Sequence, residues 1–208
     1  MTTRGRFISL EGGEGVGKST QARALAAALR ARGGEVIETR EPGGSAGAEA
    51  IRALLLGGTT DRWGARSEAL LFAAARADHV ERTIRPALAR GAWVICDRFV
   101  DSSVAYQGAD GLGAAAIMAL HAIGSDGVLP DRTLLLTLPA ETARARERSR
   151  DGAAPDRFGQ RDAAYRSAVE RAFLDLAHAD PARWRVITAD GDAATVTARL
   201  LDALADLA

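Results

Sequence analysis

The sequence predicts an α/β fold, a three-layer α/β/α arrangement with a five-stranded parallel sheet at its centre and one small lid. Three observations predict it. Short apolar runs alternate with longer helical stretches five times along the chain, and apolar strands separated by helices build a parallel sheet covered on both faces. A glycine-rich loop joins the first apolar run directly to the first helix. The polar groups able to do chemistry gather just after the strands, at residues 11–19, 40–44 and 97–108, where parallel sheets bind ligands.

The first strand is Arg6-Phe7-Ile8-Ser9-Leu10, short, apolar and partly β-branched. The helix from Ser19 to about Leu29 ends near Gly33-Gly34. Residues 35–40 form the second strand, and Glu41-Pro42-Gly43-Gly44 forces a loop, since Pro fixes φ and Gly admits positive φ. Residues 46–56 read as a helix, and Ser67 is placed to cap a longer one running to about Ala89, bent near its end by Pro86. Residues 92–97 form a buried strand, 113–123 a helix and 133–138 another buried strand. Helices follow at 140–149 and 160–178, with Asp151-Gly152-Ala153-Ala154-Pro155 between them, then a strand at 184–188 and a helix at 192–206. No repeat and no long linker divides the 208 residues, so one domain spans 1–208.

Gly12-Gly13-Glu14-Gly15-Val16-Gly17-Lys18-Ser19 has the spacing of a P-loop, and its flanks, strand before and helix after, are the context that motif requires. Backbone N–H groups of such a loop wrap a polyphosphate at a helix N-terminus. Lys18 is the chain's one lysine; every other strongly basic side chain is arginine. A compact ammonium fits between outer phosphates where a planar guanidinium fits less well. Ser19 is the expected Mg²⁺ ligand, and Asp97, ending a hydrophobic strand, the expected acid near that ion. Phe72 and Arg76 lie four apart, on one helix face, where stacking and a fork of donors suit a nucleobase. Arginines at 144, 146, 148, 150, 157, 161, 166 and 171 crowd around a Gly/Pro-containing loop. Most of them read as a solvated, salt-bridged surface; the functional reading is a lid, about residues 150–160, that closes on a transferring phosphoryl group.

Composition excludes other classes. Formal net charge is +0, so no global field draws the chain to nucleic acid or an anionic membrane. The single Cys96 lies in an apolar run and reads as core. No stretch approaches ~18 apolar residues, and the expected location is the cytoplasm. A GTP-binding switch would use an N-K-x-D motif, and the chain contains no Asn.

Four stretches together resemble the bacterial-type thymidylate kinases with lid arginines, over nearly the whole chain: residues 10–20, Thr39-Arg40-Glu41-Pro42-Gly43-Gly44, residues 68–76, and residues 97–108 from Asp97 to Gly108. The resemblance implies phosphorylation of dTMP to dTDP with ATP and Mg²⁺, and a homodimer with possible interfaces on the apolar faces of residues 66–90 and 113–123. Residues 12–19 would hold ATP. Arg98 would grip the dTMP phosphate, Phe72 would stack on thymine and Arg76 would bond its O4. Ser103 and Gln107 would line the base pocket, Tyr106 would crowd the 2′ position, and Glu14 would lie near the 3′-hydroxyl. Arg40, Pro42 and Arg52 would shape the acceptor side, and Arg157 or Arg150 would supply the catalytic lid arginine. The chain departs from the family pattern at Thr137, Gly159 and Glu170. Two other readings stay open at this point: a deoxynucleoside kinase, with Glu38 or Glu41 as base for a hydroxyl acceptor, and a P-loop module that binds ATP without turnover.

Overall fold

The computed structural model describes residues 4–59, 61–150 and 161–207, with Ala109 and Arg150 described by their backbones only. Five parallel strands run β1 Phe7–Glu11, β2 Val36–Arg40, β3 Trp93–Asp97, β4 Arg132–Thr137 and β5 Trp184–Thr188, in the spatial order β2-β3-β1-β4-β5. The helices are α1 Lys18–Ala31, α2 Ala46–Leu56, α3 Ala65–His79, α4 Arg85–Ala89, α5 Val100–Gln107, α6 Ala114–Ser125, α7 Ala140–Arg150, α8 Ala163–Ala179 and α9 Ala193–Asp202.

β1 is buried along its whole length, and its side chains alternate between the two faces. Ile8 and Leu10 join Leu25, Leu134, Leu136, Val196 and Leu200 under α1 and α9. Phe7 joins Ile84, Val94, Phe99 and Val100 on the opposite face, with its ring edge-on to Phe99 at 4.8 Å. A third cluster packs Val169 and Phe173 of α8 on Leu135 and Trp184. Each fully buried large side chain contributes roughly 1.5–3 kcal/mol. Cys96 is buried and unpaired by disulfide, as read from its apolar run.

The sheet order fixes where a ligand can enter. From β1 the chain crosses to β2 on one side; from β3 it crosses to β4 on the other. A crevice opens where neighbouring strands send their connections apart. Leu10 pairs with Asp97 in register, and Arg98 N–H donates to Leu10 O at 3.0 Å, so the loop after β1 and the turn after β3 face each other across that crevice.

Three local readings need correction. The long helix begins after Gly64 and not at Ser67, with no side-chain cap. The bend falls in a π turn at Val80–Ile84, one turn before Pro86, because proline has no N–H to give the preceding turn and its ring crowds that turn's carbonyl. Residues 100–107, read only as a polar segment, are helix α5. Its Ser and Val content gives weak local propensity; burial of Val100, Val104 and Ala105 holds it against the sheet.

Candidate active site

The loop between β1 and α1 supplies one wall. Gly12 sits at φ +133°, and a Cβ there would lie 2.4 Å from Leu136 O, so only glycine lets the loop pass so close to β4. Gly17 takes a left-handed conformation and starts α1, which aims the helix's free N–H groups into the crevice. Val16 turns its side chain into the core beneath. Lys18 Nζ donates to Gly13 O at 2.6 Å. Burial, with the Arg98 guanidinium nearby, pushes the Lys18 ammonium down to about 8.

Ser19 Oγ donates to Asp97 Oδ2 at 2.5 Å, while Asp97 Oδ1 is buried without a hydrogen-bond partner among the described residues. A hydroxyl beside a carboxylate with a spare oxygen is a hard-oxygen donor set of the kind Mg²⁺ takes with one or two protein ligands and several waters. The pair therefore fits the ion the sequence led us to expect.

The turn after β3 supplies the facing wall. Arg98 sits at φ 73°, a left-handed conformation uncommon for a side-chain-bearing residue. That backbone turns the guanidinium back toward the loop. Nη1 donates to Gly12 O and to Ser102 Oγ, both at 3.1 Å. Nη2 donates to Glu14 Oε1 at 2.5 Å and to Tyr106 Oη at 3.2 Å. Beneath this turn the buried Glu11 accepts from Phe99 N at 2.8 Å and from Ser102 Oγ at 2.6 Å. Burial, reinforced by Asp101, pushes the Glu11 carboxyl up to about 8. Burial also raises the Tyr106 phenol, which stays protonated.

Further out lies a second buried cluster. Arg76 Nε donates to Glu41 Oε2 at 2.8 Å and Nη2 to Ser103 Oγ at 2.6 Å. His79 joins Glu41 Oε1 through Nδ1 and Thr39 Oγ1 through Nε2. Burial works to raise the Glu41 carboxyl, but Arg76 and His79 outweigh it and hold the group below the usual range. Glu41 is thus an ionised structural partner of Arg76 and no free base for a hydroxyl acceptor. Arg52 Nη1 donates to Pro42 O at 2.6 Å, across the cis Glu41–Pro42 turn.

The two walls and the outer cluster enclose one cavity of about 570 Å³. Every residue assigned above to the acceptor lines it: Glu14, Arg40, Pro42, Arg52, Phe72, Arg76, Arg98, Ser103, Tyr106 and Gln107. From the loop, Gly15, Gly17, Lys18 and Ser19 line it too, as does Asp97. Gly12, Gly13 and Val16 do not, and Gly13 instead borders a small cleft against Arg144, Tyr165 and Glu170. Arg157 and the side chain of Arg150 lie outside the described residues. Of the other arginines in that region, Arg161 pairs with Asp110 and Arg166 with Glu147, and Arg146 donates to Ala189 O, in line with a salt-bridged surface.

Sequence reasoning missed the supporting residues. Ser102 and Glu11 hold the Arg98 turn, and Thr39 and His79 complete the Glu41 cluster. Glu11 carried one usable signal, a carboxylate ending an otherwise apolar strand; Thr39 and His79 carried none, because their contacts span about 40 positions of sequence.

A family model described as thymidylate kinase matches residues 10–199. A thymidylate kinase of Rhizorhabdus wittichii is 67% identical over 204 residues, covering 98% of each chain. One of Caulobacter vibrioides is 52% identical over 203 residues, covering 96% of each. The crystal structure of thymidylate kinase from Ehrlichia chaffeensis superposes with a TM-score of 0.78 at 31% identity, covering 97% of this chain and 99% of that one.

Proposed function

This chain belongs to the thymidylate kinase family, and we propose how its residues divide the work of that reaction. The enzyme phosphorylates dTMP to dTDP with ATP as donor. One observation carries the division of labour: the phosphate-binding loop and the acceptor residues share a single cavity.

The nucleophile is a phosphate oxygen of dTMP, already ionised near neutral pH, so no general base is required. The task is to bring two anions together and to stabilise charge spread over the transferring group. The loop N–H groups and Lys18 hold the outer phosphates of ATP. Arg98 leaves Glu14 and Tyr106 in favour of the dTMP phosphate, while Glu14 turns to the sugar 3′-hydroxyl. Tyr106 occupies the space a 2′-hydroxyl would need. Phe72 stacks on the base, Arg76 donates to O4, and Ser103 and Gln107 close the pocket, with Arg40, Pro42 and Arg52 around the acceptor. Ser19 and Asp97 would hold Mg²⁺, which would supply positive charge to the donor phosphates. A lid arginine, Arg157 or Arg150, completes the clamp.

We further read the chain as a single domain acting in the cytoplasm as a homodimer. Support for the dimer is Leu70 of α3 and Ile123 of α6, exposed at 55% and 83% on two helices that pack together; light scattering of the purified protein tests it. The test of the site is Arg98→Ala. It should raise the dTMP KM at least ~10-fold, about 1.4 kcal/mol, with a smaller change in the ATP KM. A change confined to the ATP KM would mean that the donor and acceptor ends are reversed.

A further inference from the structure

Behind the base end of the cavity lies a buried carboxylate with no part in the phosphoryl transfer described above. Glu68, in the first turn of α3, is 2% exposed and is not among the residues lining the cavity. It accepts from Gln107 Nε2 at 2.9 Å. Gln107, the last residue of α5, is 1% exposed and does line the cavity, and its Oε1 is buried with no hydrogen-bond partner among the described residues. An ionised carboxylate only accepts hydrogen bonds, whereas a carboxamide has one donating and one accepting end. Glu68 therefore fixes which way the Gln107 amide points: the NH₂ goes to Glu68, and the carbonyl oxygen is left to receive a donor from elsewhere. A buried acceptor without a partner is unfavourable until a donor meets it.

On the same wall, Arg76 offers the opposite polarity. Glu68, Phe72 and Arg76 recur every four residues along one face of α3, and Arg76 is held by Glu41 and Ser103. The base end thus presents a fixed donor from Arg76 and a fixed acceptor from Gln107. A 4-oxopyrimidine, with an N3–H donor beside an O4 acceptor, complements that pair. A 4-aminopyrimidine, with an N3 acceptor beside an amino donor, opposes it at both points.

We propose that Glu68 is a positioning residue for base selection, orienting the Gln107 amide so that the pocket takes 4-oxopyrimidine nucleotides and rejects 4-aminopyrimidine ones. This rests on Gln107 being a base contact, as proposed above. Dissociation constants for dTMP, dCMP and ATP, measured by calorimetry, test it. Glu68→Gln keeps the shape but lets the facing amide adopt either orientation, and Glu68→Met keeps the length but removes the acceptor. Both should narrow the preference for dTMP over dCMP by at least ~10-fold with ATP binding unchanged, whereas Glu68→Asp, still an acceptor only, should retain most of it. A preference unchanged in Glu68→Gln and Glu68→Met, or equal weakening of both pyrimidine nucleotides, overturns the proposal. Gln107→Leu separates the two readings. If it alters the preference while the Glu68 variants do not, only the role of Glu68 fails. If it leaves both constants unchanged, Gln107 is no base contact and both readings fail.

Discussion

The two ends of the cavity, which we propose take the donor and the acceptor, are built in opposite ways. The donor end is backbone: a loop whose glycines allow close approach and positive φ, a helix N-terminus, and one lysine. The acceptor end is side chain: Arg98 and Arg76, each held by carboxylates and hydroxyls from other elements. The difference follows from what each end must do. A polyphosphate is met by N–H groups pointing inward, which local sequence can arrange within eight residues. Selecting one nucleotide needs donors and acceptors fixed in direction, and long side chains hold direction only when a second group takes up their remaining bonds.

That contrast can be broken from either side. The largest effect should come from removing a brace at the acceptor end. Glu41→Leu leaves Arg76 and His79 buried without their carboxylate, and unpaired buried charge costs about 3–5 kcal/mol; chemical denaturation should show that loss. A loss below ~1 kcal/mol would mean that the braces are dispensable. At the donor end, Lys18→Ala should lower turnover roughly 10²–10³-fold with the melting temperature preserved, since the hydrogen bond Lys18 makes among the described residues is to its own loop. Near-normal turnover would remove the loop from the mechanism. Gly12→Ala should destabilise by about 1–3 kcal/mol, because its Cβ would meet Leu136 O at 2.4 Å; a neutral result would show that the loop yields where we describe it as tightly packed.

The smallest effect is a matter of pH. Lys18 acts as a cation, and its ammonium is lowered to about 8, so the charged fraction falls as pH rises through that value. kcat/KM for ATP should drop on the alkaline side, approaching ~tenfold per pH unit well above 8. The acceptor guanidiniums stay charged throughout, so the affinity for dTMP should hold over the same range. A flat ATP profile to pH 10 would contradict the lowered ammonium; a parallel fall in dTMP affinity would erase the distinction between the two ends.

Sequence reading succeeded where the signal was local. The strand at 184–188 and the helix at 46–56 lie where the apolar pattern put them, because periodicity and flanking glycines act over a few residues. It failed at α5, whose weak propensity is overridden by packing, and at the start of α3, where Gly64 and not Ser67 leads into the helix. Arg98 and Arg76 were recognisable as residues, but their braces were not. Glu11 meets Ser102 across 91 positions, Glu41 meets Arg76 across 35, and Glu68 meets Gln107 across 39.

By itself, then, the chain determined an α/β sheet, the P-loop motif and its lysine, and the resemblance that implies the acceptor residues, since each is written in contiguous sequence. The tertiary structure alone decided the strand order that opens the crevice between β1 and β3, the left-handed backbone that turns Arg98 toward the loop, and the carboxyl partners that hold Arg98 and Arg76. Those depend on which distant segments meet, and only the packed core decides that.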